Sequence, residues 1–322
     1  MRPQAAGMTL KVTGESGMYG DPFFLHTNKI LLLLQETGHL VSRTRTQSTA
    51  LKGGYWNVLM RVQAPKKDMV VKQFRTDAIN PMFPNMPDAE ARALKTLTPL
   101  GLSPAFIDYL PDVEGGPVLI YQYVEGNQWT RDYDAVGRLF RKLHDAHITE
   151  DFRMLSVEPV DILAQAREAL NTLPVDSVDR VALEACCPVP ISHPGLVRRS
   201  LIHTDTGPGN LIQNSDSLVL IDWQCPGLGD PVEDITCFIS PGMQILYNSE
   251  PLSCHDIDMV LESYGDPAVT ERFRQLRVYY HYRFLSYYVF RSFNLRDSDP
   301  DVAALYDRAF VAELALLKEL CG

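Results

Sequence analysis

The sequence predicts an α+β protein with two lobes: a small N-terminal lobe with an antiparallel β-sheet and one helix, and a larger, mostly helical C-terminal lobe. Three observations predict this class. The length of 322 residues suits two domains of roughly 150 residues each. Strand-like segments dominate residues 1–124, and helical spacing of apolar residues dominates residues 125–322. We therefore expect the boundary between the lobes near residue 125.

The N-terminal lobe is predicted to begin with a short helix and three strands. The first 28 residues are rich in glycine and polar residues, and we expect them to be only partly ordered. Residues 28–39 predict a helix with Asn28 as its N-cap. Turn-forming stretches separate the β-branched or alternating segments that follow, which lie at residues 43–51, 56–63 and 69–74. Three consecutive antiparallel strands are the prediction.

The remaining elements complete both lobes. A helix is predicted at residues 87–98, and strands at residues 104–110 and 117–124. From residue 125 the apolar spacing becomes helical. The helical segments begin with the spaced residues Val136, Leu139, Phe140 and Leu143 and continue at residues 160–185, 256–263, 268–293 and 302–320. Only residues 200–224 interrupt them as strand and loop.

The charge distribution limits the partners of this protein. Residues 1–125 contain 13 Lys and Arg against 11 Asp and Glu, whereas residues 126–322 contain 17 against 29, a net charge of −12. An acidic surface of this kind repels phosphate backbones and anionic lipids, so we expect neither nucleic acid nor a membrane as partner. Solvated acidic helices are the ordinary explanation, and a cationic ligand is the other.

Cysteine usage and hydropathy predict a cytoplasmic protein. The six cysteines show no paired metal spacing and two of them are adjacent, which is typical of a reduced protein without disulfides or zinc. The longest aliphatic run, residues 30–34, is far shorter than the roughly 20 residues of a membrane span. The N-terminus has no apolar stretch of signal-peptide length. The oligomeric state is left open.

Residues 201–224 hold the most specific pattern in the chain. Asn210 follows Asp205 by five residues, and Asp222 follows twelve residues later, directly after the apolar run 218–221. This set of side chains suits phosphoryl transfer to a hydroxyl. One carboxylate takes the acceptor proton, while the amide and the second carboxylate hold a divalent metal ion on the nucleotide phosphates. Mg2+ prefers oxygen ligands of this kind.

This stretch resembles the aminoglycoside phosphotransferase and choline kinase superfamily, the small-molecule branch of the protein-kinase-like fold. The match comprises His203-Thr204-Asp205, Gly209-Asn210, Ile221-Asp222-Trp223 and Gly229-Asp230-Pro231 with Asp234. The resemblance implies a bilobal protein-kinase-like fold with Asp205 as catalytic base and with Asn210 and Asp222 as Mg2+ ligands. It further implies that His203 braces the loop and that Asp230 ties the metal loop to the following helix.

The N-terminal lobe contains counterparts of the kinase phosphate-binding pair. In this fold a strand lysine binds the nucleotide phosphates and a helix glutamate orients it. Lys72 lies in the third predicted strand, in a Val-Val-Lys context that resembles the V-A-I-K element of kinases. Glu90 lies on the next predicted helix, where the superfamily carries its glutamate. The alternative is that neither residue binds nucleotide: Lys72 would then be an exposed strand lysine and Glu90 an exposed helix glutamate.

Two further segments are candidates for nucleotide binding. Gly53 and Gly54 lie in the first predicted hairpin, where the superfamily has its nucleotide-positioning loop and where glycine lets backbone amides approach phosphate. A plain hairpin would use two glycines equally well. The strand 117–124 leads to the lobe boundary as the kinase hinge does, so the backbone of Gln122 to Val124 is a candidate for binding adenine.

The loop departs from its relatives at three positions. Gly207 stands two residues after Asp205, where many kinases have Lys and many small-molecule relatives His or Ser, so no side chain at this position can steady the moving phosphoryl group. Thr204 and Thr206 flank Asp205 where relatives often have Gly and a hydrophobic residue. Because Gly229-Asp230-Pro231 follows Asp222 almost at once, there is no long activation segment. A small acceptor is therefore favoured over a protein.

The aromatic stretch 279–290 has two interpretations. It contains five Tyr and Phe residues besides Tyr279 and Tyr280. A buried helix that packs rings on both faces is the simpler one, and an aromatic cage for a quaternary ammonium group is the other. The cage would make this protein a choline kinase, although the chain has only three Trp residues.

We therefore expect an ATP-dependent kinase that phosphorylates a hydroxyl of a small, polar molecule. Aminoglycoside, choline or ethanolamine, homoserine and sugar acceptors stay open, as does GTP in place of ATP. The alternative from another class is a non-catalytic, pseudokinase-like nucleotide-binding module. The joint presence of the base, both metal ligands, the lysine and the glutamate argues against that alternative, since an inactive relative has no need of all five.

Overall fold

A computed structural model describes residues 11–12, 22–41, 46–51, 57–75, 80–173, 178–192, 198–215 and 217–321. The chain divides into two compact units. The first comprises Met1–Ala78 and Pro104–Val124, and the second comprises Ile79–Ser103 and Glu125–Gly322. The predicted helix at residues 87–98 thus groups with the second unit. The assignment of nucleotide binding to residues 1–124 and of catalysis to residues 125–322 stays a prediction.

The first unit contains one antiparallel sheet. Its strands are β1 (Lys11–Val12), β2 (Gln47–Ala50), β3 (Asn57–Ala64), β4 (Lys67–Phe74), β5 (Phe106–Leu110) and β6 (Val118–Gln122). They are ordered β1-β2-β3-β4-β6-β5, and every neighbouring pair is antiparallel. The three consecutive strands and the two later strands expected from the sequence are therefore confirmed, whereas β1 was not predicted.

Helix α1 (Pro22–Glu36) forms a core with this sheet. Ile30 and Leu34 from the helix share a buried apolar cluster with Met60 and Val71 from the strands. The predicted start of this helix is wrong, because Asn28 lies inside it rather than at its N-cap. Proline is favourable in the first helical turn, where its missing N–H group has no intrahelical partner to lose, so a helix that starts at Pro22 is consistent with the sequence.

The strand register directs Lys72 away from this core. Val71 belongs to the apolar cluster with α1, and successive strand side chains point to opposite faces. Lys72 pairs with Leu59 on one side and with Leu119 on the other. Only 1% of Lys72 is exposed, which contradicts the alternative of an exposed strand lysine.

The second unit is mostly helical. Its helices are α2 (Pro87–Leu97), α3 (Tyr133–His144), α4 (Pro159–Leu170), α5 (Val178–Ala185), α6 (Pro231–Ile239), α7 (Pro241–Leu246), α8 (Cys254–Tyr264), α9 (Pro267–Leu295) and α10 (Pro300–Cys321). Its strands are β7 (Asn127–Gln128), β8 (Ser200–Ile202), β9 (Leu211–Gln213), β10 (Leu218–Leu220) and β11 (Gly227–Gly229). They form a three-stranded sheet, β10-β9-β7, and a two-stranded sheet, β11-β8. The fold class predicted from the sequence is confirmed.

The long helix α9 is the centre of the helical core. It packs against α4, α6 and α10. Its aromatic stretch is buried: Tyr280, Tyr282, Phe284 and Tyr288 are each at most 1% exposed. These rings fill the interior, as the simpler interpretation expected. The structure therefore offers no support for an aromatic cage at these four rings.

Short-range caps explain where several helices begin. The Asp230 carboxylate accepts the N–H of Val232 at the start of α6, and the Ser240 hydroxyl accepts the N–H of Met243 at the start of α7. Ser253 and Asp256 form a capping box at α8.

All six cysteines are free thiols. Among the described residues, no helix combines the length and the apolar character that crossing a bilayer requires.

Candidate active site

The loop that carries Asp205 spans residues 203–210, between β8 and β9, and is here termed the catalytic loop. His203 braces it from inside. The His203 Nδ1 atom accepts the backbone N–H of Asp205 at 3.2 Å, so Nε2 carries the proton and donates to the carbonyl of Ile221 at 2.9 Å. The His203 ring also packs edge-on against Trp223, with 4.5 Å between ring centroids. The bracing role implied by the resemblance thus has a physical basis.

Asp234 holds the backbone of the catalytic loop. This fully buried carboxylate of α6 accepts the N–H of His203 at 2.9 Å and the N–H of Thr204 at 2.7 Å. Its Oδ2 atom lies 3.1 Å from Nε2 of the buried His144. A carboxylate that accepts three hydrogen bonds in an apolar interior fixes the donors strongly, since leaving any one of them unpaired would be costly.

The two threonines beside Asp205 have structural partners. Thr204 has a φ of 72°, a conformation that is strained for a β-branched residue and natural for glycine. Its hydroxyl donates to the carbonyl of Cys225 at 3.0 Å. The Thr206 hydroxyl donates to the carbonyl of Asp234 at 2.6 Å. These bonds account for threonine where relatives often have Gly and a hydrophobic residue.

The two predicted Mg2+ ligands lie on connected segments. Asn210 Nδ2 donates to the carbonyl of Asp205 at 2.8 Å, and its own carbonyl accepts the N–H of Ile221 at 2.9 Å. Asp222 follows Ile221 directly, with a φ of 62°. Because Nδ2 is engaged, the amide oxygen of Asn210 is the atom left for a cation. An amide oxygen and a carboxylate are hard oxygen donors, which fit Mg2+.

The segment 221–225 after β10, here termed the metal loop, is joined to the catalytic loop by three hydrogen bonds. The links are His203 to Ile221, Thr204 to Cys225 and Ile221 to Asn210. Among the described residues there is no cluster of three or more His, Cys, Asp or Glu side chains suited to a metal. A cation here would therefore take its remaining ligands from a nucleotide or from water.

Asp230 lies at the start of α6, the helix after the metal loop, and its role in tying that loop to the helix stays a prediction. Its carboxylate caps α6 and forms a buried ion pair with Arg272 Nε of α9, at 2.5 Å. It thus fixes α6 to α9. The carboxylate that contacts the catalytic loop is Asp234, one helical turn further on.

Glu90 lies on α2 within the second unit and is 1% exposed, which contradicts the exposed-helix alternative. The start of its helix is attached to the metal loop. The backbone N–H of Met86 donates to the carbonyl of Gln224 at 3.0 Å, and Gln224 Nε2 donates to the carbonyl of Phe83 at 3.3 Å. Lys72 lies in the first unit, so its pairing with Glu90 stays a prediction.

The predicted adenine-binding segment follows β6. The N–H of Gln122 donates to the carbonyl of Ala105 at 2.8 Å, and the N–H of Tyr123 donates to Asp68 at 3.0 Å. Both donors are engaged within the sheet, so Gln122 could offer adenine only its carbonyl. Val124, the next candidate, ends the first unit. Gly53 and Gly54 lie outside the described residues.

A family model settles the relationship of the chain. The model described as APH, the phosphotransferase enzyme family, matches residues 48–276, more than two thirds of the sequence. The chain belongs to this phosphotransferase family. The match contains every predicted site residue, from Gly53 to Asp222. The expectation of a small-molecule kinase is confirmed at the level of the family.

Solved structures share the fold of this phosphotransferase. Spectinomycin phosphotransferase APH(9)-Ia, solved with ADP and spectinomycin, is 15% identical with a TM-score of 0.64, covering 91% of this chain and 98% of that one. A choline/ethanolamine kinase family protein from Mesorhizobium loti is 18% identical with a TM-score of 0.61, covering 91% and 99%. APH(2″)-IIIa, solved with GDP and kanamycin, is 17% identical with a TM-score of 0.57, covering 91% and 98%. No curated protein sequence matches the chain.

Two residues that hold the catalytic loop were not predicted in their roles. Asp234 stands in the motif that carries the resemblance, but no sequence pattern indicates that it binds the catalytic loop. His144 ends α3, and its contact with Asp234 spans 90 residues. No local sequence pattern predicts a contact between residues so far apart in the chain. The one sequence feature that could have suggested a role for His144 is its position at the end of the amphipathic helix α3.

Proposed function

We propose that this phosphotransferase moves the γ-phosphoryl group of ATP to a hydroxyl group of a small, polar acceptor. The observation that supports it most is the hydrogen-bonded unit formed by the catalytic loop and the metal loop. That unit brings the segments of Asp205, Asn210 and Asp222 together. Little covalent chemistry is required of the protein in such a transfer, because positioning and electrostatic stabilisation supply most of the catalysis.

Asp205 is the proposed general base. As the acceptor oxygen forms its bond to the γ-phosphorus atom, the bond between that phosphorus and the bridging β–γ oxygen breaks, and the electron pair leaves with ADP. The acceptor proton passes to the Asp205 carboxylate. The His203 ring holds the backbone N–H of Asp205, and general bases must be held within hydrogen-bond reach of the proton that they accept.

Asn210 and Asp222 are the proposed ligands of Mg2+. When bound, Mg2+ neutralises charge on the nucleotide phosphates. Hydrogen bonding of Nδ2 to the Asp205 carbonyl directs the Asn210 amide so that its oxygen is the available donor atom. The link from the Asn210 carbonyl to the N–H of Ile221 fixes the residue before Asp222.

Nucleotide binding is assigned to the predicted set from residues 1–124. Lys72 binds the phosphates, Glu90 orients Lys72, the backbone at Gly53 and Gly54 approaches the phosphates, and the backbone of Gln122 and Val124 binds the base. Lys72 and Glu90 are each buried, and buried charges are normally paired or hydrogen-bonded. The structural neighbours were solved with ADP and with GDP, so we include both triphosphates as donors in the test.

The acceptor is proposed to be polar and cationic, in line with the net charge of −12 for residues 126–322. One neighbour was solved with spectinomycin and another belongs to the choline/ethanolamine kinases. Both acceptor classes are cationic. The aminoglycoside class is the primary proposal, with choline, ethanolamine or homoserine as the second.

A transfer screen tests the proposal. The purified protein is incubated with Mg2+ and ATP or GTP and with a panel of aminoglycosides, choline, ethanolamine, homoserine and neutral sugars. Nucleoside diphosphate release and phosphorylated product are measured together, with Asp205→Asn as the inactive control. A phosphorylated amine-bearing acceptor supports the proposal. Nucleotide binding without any turnover would instead identify a non-catalytic module, and a preference for neutral sugars would contradict the cationic acceptor.

A further inference from the structure

Tyr247 lies against the catalytic loop, immediately after α7. A Cβ atom added at Gly207 would be 2.4 Å from Tyr247 Cε2, and one added at Gly209 would be 2.0 Å from Tyr247 Cδ1. Both distances are far shorter than van der Waals contact. The two glycines therefore leave the space that the Tyr247 ring fills. The absence of a side chain at position 207 therefore has a structural reason. A side chain there would collide with the Tyr247 ring.

The hydroxyl half of the ring lies next to Gly207, two residues after the proposed base. The atoms nearest to the position above Gly209 are Cδ1, Cε1 and Cγ, whereas those nearest to the position above Gly207 are Cε2, Cδ2 and Cζ. Opposite edges of the ring therefore lie over the two glycines, and the hydroxyl end of the ring is nearer to Gly207 than to Gly209.

The electrostatic surroundings keep this phenol protonated. Burial, followed by the negative charges of Asp205 and Asp222, raises the pKa of Tyr247 well above its ordinary value. A neutral phenol donates one hydrogen bond. The hydroxyl is consequently available as a hydrogen-bond donor.

The backbone of Tyr247 is held in place by several bonds. Its N–H contacts the carbonyls of Met243 and Gln244 at 3.3 and 3.2 Å. The Ser240 hydroxyl, which caps α7, donates to the fully buried Glu313 carboxylate at 2.7 Å. These bonds preorganise the Tyr247 hydroxyl as a donor. Preorganised donors stabilise developing charge without the cost of reorganisation.

We propose that the Tyr247 hydroxyl donates a hydrogen bond to the phosphoryl group in transit, in place of the side chain that position 207 lacks. This inference rests on the proposed function. The charge of the transferred group is spread over its three equatorial oxygens, and Asp205 itself can accept but not donate a hydrogen bond when ionised. Tyr247 supplies the missing donor from α7 rather than from the loop.

The first test is Tyr247→Phe, which removes the hydroxyl and keeps the ring on the two glycines. We expect kcat to fall by about 100- to 1000-fold, as when one preorganised donor is removed, while KM values for ATP and the acceptor stay within about twofold. Tyr280→Phe is the matched control, because the Tyr280 hydroxyl is buried without a partner among the described residues and belongs to neither proposed loop. An unchanged kcat in Tyr247→Phe would overturn the inference and leave the proposed function intact.

A second test examines the contact without using activity. Gly207→Ser and Tyr247→Ala are made singly and together, and Tm is measured for each. We expect Gly207→Ser to lower Tm clearly in the wild-type background and much less in the Tyr247→Ala background, because the colliding ring is then absent. Equal losses in both backgrounds would show that the ring does not lie on the loop. If the wild-type protein phosphorylates no acceptor, the proposed function fails and this inference fails with it.

Discussion

The Asp234 carboxylate accepts the backbone N–H of His203 at 2.9 Å, across 31 residues of sequence. Its second oxygen accepts the N–H of Thr204, and the ring of His144 approaches the same carboxylate. The bond thus joins α6, the end of α3 and the catalytic loop in one buried polar network. The position of Asp205, the next residue in the loop, depends on this network, although Asp234 itself takes no proton in the proposed reaction.

Replacement of Asp234 by Asn tests this dependence. Both carboxylate oxygens face donors, so an amide must direct its NH2 group at one of them and leave a buried donor unpaired. We expect Asp234→Asn to lower the free energy of unfolding by about 2–4 kcal/mol and kcat by about 10- to 100-fold through misplacement of the loop. Urea unfolding and steady-state kinetics measure the two effects.

Asp258→Asn is the control for charge removal, since Asp258 is exposed on α8. It should change the free energy of unfolding by no more than about 0.5 kcal/mol. Wild-type stability in Asp234→Asn would show that the loop is held by other contacts.

Loss of the proposed base is expected to separate binding from chemistry. Asp205→Asn keeps the size of the side chain and removes its ability to accept a proton. We expect kcat to fall by about 10²- to 10⁴-fold, while the Kd for ATP changes by less than about threefold. Calorimetry and product formation give these values. Loss of ATP binding in this variant would contradict the assignment of Asp205 as the base.

Removal of the metal-loop carboxylate is expected to act on the metal. Asp222→Asn replaces an anionic oxygen donor with a neutral one, so the Mg2+ concentration needed for half-maximal ATP binding should rise by about tenfold or more. A titration of ATP binding with Mg2+ measures the effect. A curve that superimposes on that of the wild type would remove Asp222 from the ligand set.

Substitution of the buried strand lysine is expected to weaken nucleotide binding. Lys72→Ala removes the proposed phosphate contact, and we expect KM for ATP to rise by about tenfold, corresponding to about 1.4 kcal/mol. Lys67→Ala provides the control on the same strand, because Lys67 is exposed and donates to the carbonyl of His39. Equal KM values for the two variants would contradict the proposed role of Lys72.

Alkaline pH is expected to unfold the helical core. Burial raises the pKa of Tyr280, Tyr287 and Tyr288 well above the ordinary value of 10.0. Above about pH 10 the unfolded chain therefore loses protons that the folded chain retains, so stability is fully present below pH 10 and falls as pH rises further. Urea unfolding at roughly pH 8 to 11 measures the loss. Tyr280→Phe should reduce it, and a stability independent of pH in this range would contradict the prediction.

Much of the fold was predictable because its signals are short-range. The alternating segment that became β4 placed Lys72 on a strand face, and the spacing of apolar residues predicted α9 and α10 within a few residues of their observed ends. The start of α1 was not predictable from Asn28, because a capping residue is also tolerated inside a helix. The strand β1 pairs for only two residues, too few for any pattern.

The segments that carry Asp205, Asn210 and Asp222, which their spacing grouped together, are joined by hydrogen bonds in the structure. The network around Asp234 and the ring of Tyr247 did not follow from spacing. Tyr247 lies 40 residues beyond Gly207 in the sequence, so from the sequence alone the glycine looked like a missing side chain. The structure shows that the glycine makes room for the ring.

The sequence by itself determined the α+β class, the order of most elements and the residues of the catalytic and metal loops. These features depend on backbone preferences and on contacts between residues close in the chain. Only the tertiary structure decided that Asp234 holds the catalytic loop, that α2 groups with the second unit and that Tyr247 covers Gly207 and Gly209. Each of these depends on which distant segments pack together, and a buried hydrogen bond or a ring contact between such segments leaves no periodic signal in the sequence.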